Sequence, residues 1–207
     1  MYSYSKSLEH LATHKYYDNK FKAAGVKVLP GEYYASKDDI MITTLLGSCV
    51  AACLFDEEAK VGGLNHFLLP GEDGDNSMSS SSGRYGMYAM ELLVNHLMKL
   101  GARRERIKAK VFGGANVIKS LSTASSVGER NVAFIMMYLK QENIPVCSSS
   151  VLDITPRKVN FFPQSGKAFV KQLADIHQSD VVAQEKRYQG KAKEEIENSS
   201  GGDIDFF

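Results

Sequence analysis

Short apolar runs broken by turn residues fill the first third of the chain. Residues 26–29 (VKVL) and 31–35 (GEYYA) read as a strand interrupted at Pro30-Gly31. Residues 40–46 (IMITTLL) form a β-branched apolar run ending at Gly47-Ser48, which predicts a second strand. The runs 49–55 (CVAACLF) and 61–69 (VGGLNHFLL) are too short for long helices and flank the turn-like segment 56–60 (DEEAK), so they predict a hairpin. Residues 70–83 (PGEDGDNSMSSSSG) are a loop by composition. The period then changes. Tyr85, Ala89, Leu92, Leu93, Leu97 and Leu100 recur at three and four, one stripe of a helix, and Gly101 stands where a cap belongs. A strand over 107–112 enters Gly113-Gly114. Residues 127–143 hold a second helix with Val132, Ile135, Met136 and Leu139 on one face. Another strand starts at 144–147, and 158–162 with 168–171 predict a last hairpin around 163–167 (PQSGK). Strands followed by helix, strand, helix and strands define an α+β or layered α/β domain.

The patterning divides the chain in three. Residues 1–27 are polar and aromatic with weak periodicity and read as an N-terminal extension. Residues 28–177 carry the elements above. Residues 178–207 are charged, poor in large apolar side chains and Gly/Ser-rich near their end, which predicts a flexible or partly helical tail. Its apolar-acidic tip, Ile204-Asp205-Phe206-Phe207, suits docking on a partner.

Charge narrows the function classes. Lys+Arg is 25 against Asp+Glu 24, a net charge of +1, which gives no basic surface for nucleic acid. No apolar run approaches ~18 residues, so no membrane insertion is expected, and residues 1–22 lack the apolar segment of a secretory signal. A cytoplasmic location follows as an expectation. The three cysteines, Cys49, Cys53 and Cys147, form no CxxC pair and no zinc spacing with histidine, so neither a disulfide framework nor a metal site is expected.

One thiol–imidazole pair remains of chemical interest. A hairpin turn centred between Glu57 and Glu58 would place Cys49 opposite His66, with Cβ atoms ~4.5–5.5 Å apart on one face of the sheet. A slip of one residue would separate them to opposite faces. An imidazole beside a thiol takes its proton and can later protonate a leaving amine. Gly47-Ser48 allows a sharp turn whose N–H groups suit an oxyanion. By itself, a cysteine in an apolar run is most simply core, as Cys53 is expected to be.

Several segments together resemble one family. Leu46-Gly47-Ser48-Cys49-Val50 is followed at this distance by Asn65-His66-Phe67-Leu68-Leu69-Pro70. With them come Pro30-Gly31-Glu32-Tyr33, Phe112-Gly113-Gly114-Ala115, Gly128-Glu129-Arg130-Asn131, Pro156-Arg157-Lys158-Val159 and Phe161-Phe162-Pro163-Gln164-Ser165-Gly166-Lys167. The set, over residues 28–173, resembles the chemoreceptor glutamine deamidases of the CheD family. The resemblance implies a layered α/β sandwich around a mostly antiparallel or mixed sheet, similar to the catalytic domain of a deamidating toxin. It implies Cys49 as nucleophile, His66 as base, and a threonine six residues before the cysteine, Thr43, with Thr44 its neighbour. Gly47 and Ser48 would supply the oxyanion site. No metal or organic cofactor is implied. The implied activity converts glutamine side chains of methyl-accepting chemotaxis receptors to glutamate, with the receptors' cytoplasmic helices as substrate and, for some members, a CheC phosphatase as partner. In place of the family's Asp-Leu-Gly-Gly-like turn before Arg157 this chain has residues 150–155 (SVLDIT). The alternative role is an adaptor that binds receptors or the phosphatase with the thiol unused.

Overall fold

A computed structural model describes residues 10–69, 80–116, 126–173 and 178–200. Residues 70–79 of the loop expected at 70–83 and the tail tip at 204–207 lie outside them, and residues 81–83 of that loop are helical. The elements in chain order are β1 (His14–Asp18), β2 (Ala23–Lys27), β3 (Tyr33–Ser36), β4 (Met41–Leu46), β5 (Val50–Asp56), β6 (Val61–Phe67), α1 (Ser81–Lys99), β7 (Lys108–Gly113), α2 (Val127–Gln141), β8 (Val146–Val151), β9 (Arg157–Phe162), β10 (Lys167–Gln172) and α3 (Gln178–Ser200).

The α+β class stands, with two sheets rather than one. One sheet has the order β3-β6-β5-β7-β8 and the other β1-β2-β4-β9-β10; each mixes parallel and antiparallel pairs. The first sheet is sandwiched. Val50, Ala52 and Leu54 of β5 pack on α1 and α2 with Met90, Leu93, Phe134 and Ile135. Ala51, Cys53 and Phe55 face the second sheet, meeting Ile42, Leu46, Val159 and Phe161. Alternation along one strand therefore feeds two cores, which is why every residue of β5 is buried and why CVAACLF shows no polar face. The layers run helices, sheet, sheet.

The helices begin as their sequences dictate. Ser80 caps α1 by accepting from the Gly83 N–H. Ser126 and Glu129 form a reciprocal capping box at the start of α2. Gly101 ends α1 with φ of 109°, and Ala102 N–H closes back on the Leu97 carbonyl.

One expectation is corrected. Residues 14–18 and 23–27, read as part of a polar extension, pair antiparallel, and β2 runs parallel to β4 inside the second sheet. The polar residues of β1 follow from its edge position with one solvated face. The tail contains a 23-residue helix, α3. Arg157 is buried, and its guanidinium donates to the carbonyls of Ser150 and Leu152. That arginine ties the SVLDIT segment to the start of β9.

Asp56 anchors the far end of the β5–β6 hairpin. Its buried carboxylate accepts from Glu58 N–H and Ala59 N–H in the turn, and from Arg103 N–H and the Arg106 guanidinium. These bonds hold it below the usual carboxylate range against the opposing effect of burial. Replacing Asp56 by Ala leaves five N–H donors unmatched, and urea unfolding should show a loss of about 3 kcal/mol. A loss under about 0.5 kcal/mol, typical of a surface change, would contradict this role.

Candidate active site

The chain passes from the second sheet to the first between β4 and β5, at residues 47–49. The backbone of this crossover is tied down from behind. Gly114 N–H donates to the Cys49 carbonyl at 2.7 Å, Ala115 N–H to the Gly47 carbonyl at 2.7 Å, and Asn131 Nδ2 to the Ser48 carbonyl at 2.9 Å. The glycine pair Gly113-Gly114 at the end of β7 allows this approach. Gly113 has φ of 105°, and a Cβ there would lie 2.2 Å from the Cys49 oxygen. Asn131 also accepts from Leu69 N–H, linking the crossover to the end of β6.

With all three carbonyls engaged on one side, three consecutive N–H groups are free to point to the other. They converge on one carboxylate, that of Glu185 from α3. Its Oε1 accepts from Gly47 N–H at 2.8 Å and Cys49 N–H at 3.0 Å. Its Oε2 accepts from Ser48 N–H at 2.9 Å and Ser48 Oγ at 2.7 Å. Successive N–H groups of this kind form an anion-binding nest. Gly47 and Ser48, expected from the sequence to form an oxyanion turn, here donate to Glu185, a residue that was not foreseen.

Cys49 and His66 are both buried, at 0% and 1% exposure. The Cys49 sulfur, one His66 ring nitrogen and a Glu185 oxygen lie within 4.8 Å of one another. The hairpin register is two residues beyond the expected one: His66 faces Ala51, and Val50 faces Phe67. A slip of two preserves the face, so Cys49, just before β5, still shares the inter-sheet side with His66. Cys53 lies further along that side, buried as expected, and Cys147 is exposed on β8.

Thr43 does not meet His66. Its hydroxyl lies within hydrogen-bond distance of the Val159 carbonyl, at 3.0 Å, and of Asn160 Oδ1 on β9, at 2.8 Å. Thr44 takes the place expected of it. Thr44 Oγ1 lies 2.7 Å from His66 Nδ1 and donates its proton to the Val28 carbonyl at 2.8 Å. A hydroxyl that spends its proton on Val28 can only accept from the imidazole, so Nδ1 carries hydrogen and Nε2 keeps a lone pair. Among the described residues, Nε2 has no hydrogen-bond partner. Strand alternation explains the correction: Thr44 shares the inward face of β4 with Ile42 and Leu46.

A thiol, an imidazole and a carboxylate could also serve a soft cation. Here the carboxylate oxygens are each directed at two hydrogen donors, the arrangement of an anion site. Electrostatics favour uncharged partners. Burial, then the Glu185 charge, then a hydrogen bond to Glu185 push the Cys49 thiol well up. Burial pulls His66 down to about 4, outweighing the opposite pull of Glu185.

A two-sheet α+β domain with an inter-sheet thiol–imidazole site defines the structural class, and comparison with known proteins gives the family. Residues 68–172 match the family model described as CheD chemotactic sensory transduction, a stretch that begins just after His66. A Shewanella oneidensis protein named "Probable chemoreceptor glutamine deamidase CheD 1" is 49% identical over 194 residues, 93% of this chain and 92% of that one. A Dechloromonas aromatica protein of the same name is 51% identical over 180 residues, 87% of this chain and 89% of its own. The chain belongs to the CheD family. Among solved structures, the hypothetical protein YfiH of Bacillus licheniformis aligns with a TM-score of 0.39 at 12% identity, over 59% of this chain and 51% of that one.

His66 gives stability a pH dependence. Its folded value is about 4 against 6.5 for the free side chain. Between these the unfolded chain holds more protons, so stability rises with pH. The contribution is complete above 6.5 and is lost as pH falls to about 4, a change of about 3 kcal/mol. Chemical denaturation at stepped pH should show this slope, and His66→Gln should remove it. An unchanged slope in that variant would place the titration elsewhere.

Proposed function

We propose that this chain is a chemoreceptor glutamine deamidase acting in the cytoplasm on the helical cytoplasmic segments of methyl-accepting chemotaxis receptors. The family and its named relatives support the substrate class. The observation that carries the chemistry is the convergence of a thiol, an imidazole lone pair and three backbone N–H groups on one side-chain carboxylate. No helix among the described residues is long and apolar enough to cross a membrane, in keeping with a protein that meets receptors on their aqueous side.

The reaction follows from the positions. The substrate carbonyl oxygen sits where Glu185 Oε1 lies, between Gly47 N–H and Cys49 N–H. His66 Nε2 takes the Cys49 proton and sulfur bonds to the amide carbon. The two N–H groups hold the resulting oxyanion. His66 returns its proton to the amide nitrogen as the C–N bond breaks and ammonia leaves. Water then gives a proton to Nε2 and attacks the thioester carbon. The C–S bond breaks, sulfur recovers the proton, and a glutamate side chain remains. Ser48 Oγ accepts from the substrate NH₂ group. Thr44 acts through His66 by fixing its tautomer, and Asn131, Gly114 and Ala115 act through the crossover. These are positioning residues. A CheC phosphatase is a further partner proposed from the family resemblance.

Intact-mass analysis of a receptor cytoplasmic fragment tests the assignment, since each conversion adds about one dalton. Wild type should add mass, while Cys49→Ala and His66→Ala should add none. Thr44→Val should slow conversion by about ten- to a hundred-fold and alter its pH profile, whereas Thr43→Val should stay within about three-fold. Turnover by Cys49→Ala would remove the thiol from the mechanism. No conversion by wild type would favour the adaptor role.

A further inference from the structure

The C-terminal helix places a glutamate where a deamidase would hold its product. Val181, Glu185, Tyr188 and Ala192 recur at four, three and four, so they share one face of α3. Val181, Glu185 and Ala192 are 2%, 4% and 0% exposed. The residues beneath are shaped to receive them. Gly47 has no side chain, and a Cβ there would crowd Glu185 Oε2 at 3.0 Å and Val181 Cγ1 at 3.2 Å. Gly31, with φ of 85°, opens the space taken by the Tyr188 ring; a Cβ there would lie 2.4 Å from it. The Tyr188 hydroxyl hydrogen-bonds that of Tyr85 on α1. A carboxylate in the middle of a docked face is costly to bury unless it is matched, and this one meets four donors.

We propose that α3 is an intramolecular ligand of the catalytic groove, seated with Glu185 as a product carboxylate, and that it must leave before a receptor helix can present its glutamine there. The proposal deepens the deamidase reading and rests on it for the identity of the displacing partner. Glu185 matches the site better than a substrate would. A carboxylate accepts from all four donors, whereas a glutamine NH₂ has nothing to offer the Ser48 N–H. The occupied state is also chemically quiet, because the Glu185 charge stands against thiolate formation at Cys49. The thin apolar stripe of α3, a valine, a tyrosine and an alanine, suits a helix that docks reversibly.

Thiol alkylation of the full-length chain tests the occupancy without relying on deamidation. Iodoacetamide adducts are located by peptide mass spectrometry. Exposed Cys147 serves as an internal rate standard, and buried Cys53 reports that the core stays closed. In Glu185→Ala, and separately in Val181→Asp, Cys49 should react at least about ten-fold faster than in wild type, with Cys147 unchanged and Cys53 unreactive. Equal Cys49 rates in wild type and both variants overturn the proposal. Deamidation of the receptor fragment by Glu185→Ala is then read separately and should exceed wild type. Faster alkylation without any conversion keeps the occluding helix and removes the deamidase reading. Equal alkylation with full conversion removes the helix and keeps the deamidase.

Discussion

Everything at the site depends on how residues 47–49 spend their backbone hydrogen bonds. A crossover between two sheets belongs to neither ladder, so its carbonyls and N–H groups need other partners. Here the carbonyls are taken by Gly114, Ala115 and Asn131, all on one side. The N–H groups are left pointing together at a small volume beside Cys49. An anion-binding turn and a thiol are thereby fixed by the same three residues. The glycine pair at the end of β7 is required for it, because a side chain at Gly113 would strike the Cys49 carbonyl. The capping box of α2 contributes at one remove, since it fixes the start of the helix that carries Asn131.

The two sheets together give this turn its partner. His66 arrives on β6, and Thr44 arrives on β4 of the other sheet to hold its Nδ1. Burial between the sheets keeps the imidazole neutral, with its lone pair on Nε2. A neutral base and a neutral thiol close together form a poised pair rather than a standing ion pair. The charge that decides between thiol and thiolate is then whatever lies in the anion turn. With the carboxylate of α3 there, the thiol is favoured. With a neutral amide there, that opposition is gone.

Much of this was legible in the sequence because strand periodicity and turn residues are local signals. The β5–β6 hairpin, both central helices and the β9–β10 hairpin follow from runs, caps and glycines. The thiol–imidazole pairing survived a register error because an error of two residues keeps side chains on the same face. The choice between Thr43 and Thr44 could not be made locally. Met41, Thr43 and Leu45 are as apolar a set as Ile42, Thr44 and Leu46, and only packing against the first sheet decides which set faces it. The first strand was missed, and the second was anticipated only at Val26-Lys27, because HKYYD and AAGVK carry little apolar face of their own. The helix α3 was obscured by its own purpose: a glutamate in the middle of the stripe reads as solvated until its donors, more than a hundred residues away, are brought beneath it.

The most direct test places an amide where the carboxylate now sits. In the full-length Glu185→Gln variant, the side chain at 185 lies between the Gly47 and Cys49 N–H groups and within reach of the thiol. The account predicts that this amide is hydrolysed within the chain, so the peptide containing residue 185 becomes heavier by about one dalton, and that adding Cys49→Ala leaves it unchanged. An amide that persists through long incubation, in a protein whose Cys49 is still free to react, would contradict the claim that this turn, thiol and imidazole form a glutamine-hydrolysing site.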